Sequence, residues 1–351
     1  MGRRILIMAG GTGGHVFPAL AVARLLREQG WQVSWMGTKK GMESRIVPEN
    51  AIDIDWITVS GLRGKGLKAK LKAPLMLLDA CVQAAGILRR RRPDVVLGMG
   101  GFVAGPGGLM TKFYRIPLVI HEQNRVPGTT NRLLARLANV VLEAFPGSFS
   151  GRVPAICTGN PLREELLKSN QKDRPHNGDS LRVLVIGGSQ GAQVLNEIVP
   201  QALAQVASVR VRHQTGKAML DQVREQYRQL GVQADVEAFF EDIAAMYSWA
   251  DLIICRAGAM TVSEVAAAGL PAILVPFALA IDDHQTANAR YLVDAGGGVL
   301  IPQQQLESGK LARQIEKIRP KIAAMARAAR SCARLDATQA VAKVCSTEAG
   351  A

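Results

Sequence analysis

The sequence predicts an α/β protein of two similar parallel-sheet domains, and three observations carry that expectation. Short β-branched or aliphatic runs alternate with longer helical patterns, the order of βαβ units. The chain has 351 residues, longer than a single core usually grows. The opening pattern also restarts halfway: Arg4-Ile-Leu-Ile-Met8 followed by Gly10-Gly-Thr-Gly-Gly14 is echoed by Arg182-Val-Leu-Val-Ile186 followed by Gly187-Gly-Ser-Gln-Gly191.

In the first half we expect strands at 5–9, 32–36, 52–58, 95–98 and 118–121. A helix should run from Pro18 to Gln29, because proline favours a first turn and Gly30 can close the last one. A long helix should start near Leu67. Residues 168–180 are polar and contain Pro and Gly, with nothing to bury, so they read as a linker. The expected domains are therefore 1–165 and 166–335, with a last helix at about 336–351 as a candidate to pack back on the first. Strands of the second half are expected at 182–186, 209–213, 252–255 and 272–275.

Composition narrows the function classes. Hydrophobic residues are 48% and charged residues 21%, ordinary for a folded protein. The 43 basic against 29 acidic residues give +14, a field that draws anionic partners without choosing among them. Five scattered cysteines with no CxxC pair indicate neither a disulfide framework nor a zinc site, and reduced cytosol is the expected compartment. No apolar run is long enough for a spanning helix, so any membrane contact is expected to be peripheral. Nucleic acid is not an expected partner: no RNP, KH or zinc-finger pattern is present and aromatics are 5%.

Glycines at the carboxyl end of a parallel strand let the backbone approach a phosphate, while the next helix offers unpaired N–H groups. Both glycine loops fit that use, although tight strand-to-helix packing alone also selects glycine. A dinucleotide fingerprint is excluded. Val16 stands where its third glycine should be, the strand ending Trp35-Met36-Gly37-Thr38 has no carboxylate, and the second loop lacks the spacing. No glycine loop ends in Gly-Lys-Ser or Gly-Lys-Thr, which excludes a P-loop. A third cluster, Gly98 to Gly108, reads either as a second phosphate cradle or as a mobile loop before a proline-initiated helix.

The segment Arg256-Ala-Gly-Ala-Met-Thr-Val-Ser-Glu264 follows an expected strand and opens a helix. Glu264 should lie in its first turn, where it can accept from ribose hydroxyls or merely complement the helix dipole. Thr261, Val262 and Ser263 should offer amides to phosphate.

Gly258-Ala-x-Thr261-x-x-Glu264, Gly269-x-Pro271, Val275-Pro276 and Asp283-x-Gln285-x-x-Asn288 together resemble the donor signature of GT-B glycosyltransferases. With Gly10 to His15, His121-Glu-Gln-Asn124, Asn160-Pro161-x-Arg163 and Gly187 to Gly191, the set resembles glycosyltransferase family 28 over nearly the whole chain. The resemblance implies two Rossmann-like domains with parallel sheets facing across a cleft. It implies inverting transfer of N-acetylglucosamine from UDP-N-acetylglucosamine to the C4 hydroxyl of a lipid-linked MurNAc-pentapeptide. It also implies a peripheral place on the cytoplasmic face of the bacterial inner membrane, with cell-wall synthesis proteins as candidate partners. Carried over by position, the substrate contacts are Ser189, Ile243 at the uracil, Ala259, Met260, Thr261, Val262, Ser263, Glu264, Gln285 for the sugar and Arg163. Thr12, Gly13, Gly14 and Asn124 would face them from the first domain. Where the family commonly has two glutamines, this chain has His284-Gln285, which leaves no sugar contact assigned to residue 284.

Such a transfer needs a base and stabilisation of the departing diphosphate. His15 is the candidate base, since imidazoles titrate near neutrality; capping its helix or bonding a phosphate are its other readings, and Glu122 is the reserve. Helix N-termini and Arg163 are expected to stabilise UDP without a metal or other cofactor. From Lys65 to Arg92, lysines and arginines accompany Leu67, Leu71, Leu75, Leu78 and Val82, a stripe at helical spacing that a crossover helix would bury. Met76 and Leu77 lie off that stripe, which favours attachment to an anionic membrane surface. The alternative function is a sugar-nucleotide 2-epimerase of the same fold, which would have no use for a basic apolar patch.

Overall fold

The computed structural model describes residues 2–59, 67–151, 153–169, 180–188, 190–278 and 283–350, with backbone alone for 67–72 and 168–169. The contacts divide the chain into two units, Met1–Arg163 with Leu335–Ala351, and Glu164–Arg334.

The first unit contains β1 (Arg4–Met8), α1 (Gly13–Glu28), β2 (Gln32–Gly37), α2 (Glu43–Glu49), β3 (Asp53–Trp56) and α3 (Leu67–Arg91). It continues with β4 (Val95–Gly98), α4 (Ala104–Tyr114), β5 (Leu118–Glu122), α5 (Thr129–Leu134), β6 (Val140–Glu143) and β7 (Ala155–Cys157). Its sheet is parallel with order β3-β2-β1-β4-β5-β6-β7. The central strands are aliphatic on both faces because helices cover both, so Ile5 to Met8 and Val95 to Leu97 are all buried.

The second unit contains α6 (Glu164–Ser169), β8 (Leu181–Ile186), α7 (Gln193–Leu203), β9 (Val209–Gln214), α8 (Leu220–Gln229), β10 (Ala234–Glu237) and α9 (Ile243–Trp249). Then come β11 (Leu252–Cys255), α10 (Ala259–Ala268), β12 (Ala272–Leu274), α11 (His284–Asp294), β13 (Gly298–Leu300), α12 (Ser308–Ile318) and α13 (Ile322–Ser331). Its parallel sheet runs β10-β9-β8-β11-β12-β13. The last helix, α14 (Ala337–Glu348), belongs to the first unit, where Val341, Ala342 and Cys345 share a buried cluster with Val16, Ala19 and Ala23 of α1.

Two helices depart from expectation for identifiable reasons. The glycine loop itself forms the first turn of α1, which begins at Gly13 and places Pro18 inside the helix. Gly30 then closes it with φ +84°, while Gly30 N–H donates to Arg27 O at 2.9 Å and Trp31 N–H to Leu26 O at 3.0 Å. On α3, the stripe expected to be buried faces outward: Leu75 is 71% exposed, Leu78 63% and Val82 64%. The helix instead buries the smaller Ala80 and, in a cluster that also holds Val103 and Ala104, Ala84, Ile87 and Leu88. Phe113 of α4, the helix packed against α3, is 73% exposed. Lys65 lies outside the described residues, and so do the side chains of Leu67, Lys68, Lys70, Leu71 and Lys72.

Both units carry the same latch at the amino end of their sheets. Asp94, before β4, accepts from Arg4 N–H at 2.7 Å, and Asp251, before β11, accepts from Arg182 N–H at 2.9 Å. The second latch is tighter, with Arg182 Nη2 also 2.6 Å from the buried Asp251 carboxylate.

Candidate active site

At the carboxyl edge of the second sheet lies a cavity of about 560 Å³. The Gly187–Gly191 loop, the start of α7, Arg256, Gly258, Thr261, Phe277, Gln285 and Gln303 line it. Thr261 and Gln285, both expected in the site, are thus brought to one cavity. Ser189 lies outside the described residues.

The helix α10 starts immediately after Gly258, so its geometry differs from the expected one. Val262 N–H already donates to Gly258 O at 2.9 Å. The amides without an intrahelical acceptor are therefore those of Gly258, Ala259, Met260 and Thr261, and the Val262 and Ser263 amides belong to the helix ladder. Glu264 falls one turn deeper than expected and accepts from Tyr247 Oη at 3.0 Å. Ile243 is half-buried at the start of α9, whose Asp242 carboxylate accepts from Ala245 N–H at 2.9 Å. Gln285 Oε1 accepts from Phe277 N–H at 2.9 Å, which leaves its amide hydrogens to offer a ligand.

Sequence reasoning missed Arg256 as a site residue. Its Nη1 donates to the Val275 and Pro276 carbonyls at 3.2 Å each, and its guanidinium stacks 5.4 Å from the Phe277 ring centroid. Desolvation lowers its pKa somewhat from the ordinary arginine value. The signal was present, because a cation directly after a strand, two residues before a helix N-cap, adds charge where phosphate binds.

The Gly187–Gly191 loop is held from below. Gln214, buried at the end of β9, donates from Nε2 to Gly188 O at 2.9 Å and accepts from Phe240 N–H at 3.0 Å. Beside it, His213 is buried between Asn196 Oδ1 at 3.1 Å and Tyr227 Oη at 3.0 Å, and desolvation lowers its pKa to about 3. Gly191 has φ +77°, and a Cβ there would run into the Thr215 carbonyl.

In the first unit, the Gly10–Gly14 loop is braced differently. Fully buried Glu43 accepts from Gly11 N–H at 2.9 Å through one oxygen, and from Thr38 N–H and Oγ1 at 2.9 and 2.8 Å through the other. Thr12 is the exposed N-cap of α1, Gly13 and Gly14 form its first turn, and His15 is half-buried on it. In the third glycine cluster two positions require glycine on packing grounds. Gly101 has φ +81° and a Cβ there would meet Gly10 O at 2.5 Å, while one on Gly100 would sit 3.0 Å from the His15 ring. These glycines let the β4 loop press on the first loop and on His15.

His15 Nδ1 lies 2.8 Å from Gln123 Oε1. Gln123 Nε2 in turn is 3.1 Å from both Nδ1 and O of His121, whose Nε2 is 2.9 Å from Gly159 O. His121 and Gln123 are buried, and desolvation lowers the His121 pKa to about 4. Glu122 is buried too, its carboxylate accepting from Asn124 N–H and Nδ2 at 2.9 and 3.2 Å and from Gly128 N–H and Asn131 Nδ2 at 3.0 and 2.9 Å. Four donors fill its acceptor capacity, so it holds the Asn124–Asn131 turn. Arg163 stacks 4.2 Å over the Phe17 ring, with Nε buried and no hydrogen-bond partner among the described residues.

Among the described residues no group of three or more His, Cys, Asp or Glu could hold a metal ion. The one Asp-x-Asp triplet of the sequence, Asp53-Ile-Asp55, is engaged by arginines: Arg90 and Arg91 pair with Asp55 at 2.6 Å and Arg91 with Asp53 at 3.0 Å.

Two parallel-sheet units, with glycine loops at strand ends and a cavity of about 560 Å³ beside a helix N-terminus, are the plan of the GT-B fold. The models of the glycosyltransferase family 28 N-terminal and C-terminal domains match residues 5–143 and 182–344, and the chain belongs to that family. It is 60% identical, over the whole of both chains, to the UDP-N-acetylglucosamine--N-acetylmuramyl-(pentapeptide) pyrophosphoryl-undecaprenol N-acetylglucosamine transferase of Methylococcus capsulatus. The crystal structure of Acinetobacter baumannii MurG superposes with a TM-score of 0.85 at 40% identity, covering 98% of this chain and 99% of that one. The UDP-GlcNAc 2-epimerase from Neisseria meningitidis, TM-score 0.67 and 14% identity over 97% of this chain and 98% of that one, shares the fold alone.

Proposed function

We propose that this protein transfers N-acetylglucosamine from UDP-N-acetylglucosamine to the C4 hydroxyl of undecaprenyl-pyrophosphoryl-MurNAc-pentapeptide. The observation that carries the reading is full-length 60% identity to a transferase so named. The second unit's cavity supports it chemically. The amides from Gly258 to Thr261 and the Arg256 guanidinium can hold the diphosphate, with Gln285 at the sugar and, as the resemblance implies, Ile243 towards the uracil. In this reading residues 166–335 are the donor half, and residues 1–165 with the last helix are the acceptor half.

The acceptor oxygen attacks C1 while its proton passes to His15 Nε2, and the C1–O bond to UDP breaks with the electron pair leaving on the phosphate. One displacement inverts the α-linked donor to a β-linked product. Glu122 is the poorer base because its oxygens are already engaged. The experiment is incubation of labelled UDP-N-acetylglucosamine with the lipid-linked muramyl acceptor. Label should enter the lipid phase; label confined to water, as free sugar or as an epimerised nucleotide sugar, would reject the reading.

The outward Leu75, Leu78 and Val82 of α3, with Phe113 of α4 and the Arg89–Arg92 run, support peripheral attachment to an anionic membrane. No helix among the described residues is long and apolar enough to cross a membrane. In a liposome flotation assay the protein should rise with vesicles containing acidic lipid and stay behind with neutral ones; equal behaviour would remove the idea.

A further inference from the structure

We propose that Gln123 is a positioning residue that locks His15 as its Nδ1–H tautomer, with buried His121 dictating which way the Gln123 amide faces. The inference rests on the reading of His15 as the base and adds what makes its outer nitrogen basic.

The hydrogen-bond relay begins at Gly159. Its carbonyl can only accept, so His121 Nε2, 2.9 Å away, carries a hydrogen. His121 is fully buried with no carboxylate bonded to it among the described residues, so it stays neutral and its Nδ1 bears a lone pair. Two acceptors, that Nδ1 and the His121 carbonyl, therefore confront the same end of Gln123, each at 3.1 Å. The NH2 group must point there. The reversed amide would replace two hydrogen bonds by two lone-pair contacts between buried groups.

With the NH2 end so fixed, Oε1 faces His15 Nδ1 at 2.8 Å. A carbonyl accepts only, so His15 Nδ1 donates. In the neutral ring the lone pair is then on Nε2, which has no hydrogen-bond partner among the described residues. In water the imidazole of histidine favours the opposite tautomer, so without Gln123 the basic nitrogen would mostly point inward. The Gly100 backbone lies beside the ring, close enough that a Cβ there would sit 3.0 Å from it. The logic is that of a buried acceptor orienting a catalytic histidine, with a neutral amide in place of a carboxylate.

The test uses the full chain labelled with 15N-histidine; with five histidines in the sequence, the long-range proton–nitrogen spectrum can be assigned by single substitutions. In the unsubstituted protein above the imidazole titration, His15 should show the Nδ1–H pattern and His121 the Nε2–H pattern. In Gln123→Met, His15 should change to a mostly Nε2–H pattern, and kcat should fall roughly 10- to 100-fold, the scale for groups that orient a functional imidazole, with KM for UDP-N-acetylglucosamine unchanged. An Nε2–H pattern for His15 in the unsubstituted protein overturns the proposal, and so does a Gln123→Met protein whose His15 keeps Nδ1–H. The spectrum of the unsubstituted protein requires no variant to fold. It decides the tautomer whether or not transfer is observed, so this inference and the proposed function fail separately.

Discussion

His15→Gln should lower kcat for transfer by roughly 10²- to 10⁴-fold, the usual contribution of a positioned general base. The side chain of glutamine keeps a polar group against Gln123 but offers no nitrogen that can take a proton at neutral pH. Donor binding should not change, because the cavity lined by Arg256, Thr261 and Gln285 is built wholly within the other unit. The expected signature is thus a kcat effect with an unaltered Kd for UDP, read by steady-state kinetics beside calorimetry. A loss below tenfold would move the base elsewhere and leave His15 as a loop-packing residue against Gly100.

Gly191→Ala should destabilise the protein by on the order of 3 kcal/mol, summing a strained backbone and a clash with rigid neighbours. The residue has φ +77°, and its Cβ would strike the carbonyl of Thr215, which already accepts from Asn196 Nδ2 at 3.0 Å. Neither backbone can yield without disturbing the His213–Asn196 network. Gly188→Ala provides the control: φ is +98° but nothing lies within 4 Å of the added carbon, so only the conformational cost of about 1 kcal/mol remains. Urea melts of the two variants should separate by about 2 kcal/mol. Equal midpoints would mean that the loop relaxes away from Thr215, and UDP affinity would then be the only measure of its shape.

Much of the scaffold was legible because parallel βαβ units write themselves as blocks. The strands β1, β4, β8 and β11 are largely aliphatic runs closed within two residues by a glycine or a charged residue, as at Val95–Gly98 and after Leu252–Cys255. The strands overlooked, β6, β7, β10 and β13, have three or four residues, too few to show a period, and β7, β10 and β13 lie at sheet edges where little is buried. The α3 stripe misled because spacing marks a face without saying which way it points. Burial of Ala80 and Ala84, residues with little hydrophobic signal, decided the orientation through close helix packing. At the site, glycines and the Glu264 segment stood out locally. Gln123, Gln214 and Glu43 did not, since each acts through partners distant in sequence: Gln123 on His15 108 residues away, Gln214 on Gly188 26 away, Glu43 on Gly11 32 away.

The two loop braces differ in polarity, and this breaks the symmetry of an otherwise duplicated plan. In the first half a carboxylate of the chain itself consumes a loop N–H, at Gly11. In the second half an amide donor consumes a loop carbonyl, at Gly188. An incoming polyanion would meet a carboxyl group behind the loop at Gly11 and an amide group behind the loop at Gly188. Near-twin scaffolds thereby present loops of opposite brace polarity, without any difference in the parallel order of the strands that carry them.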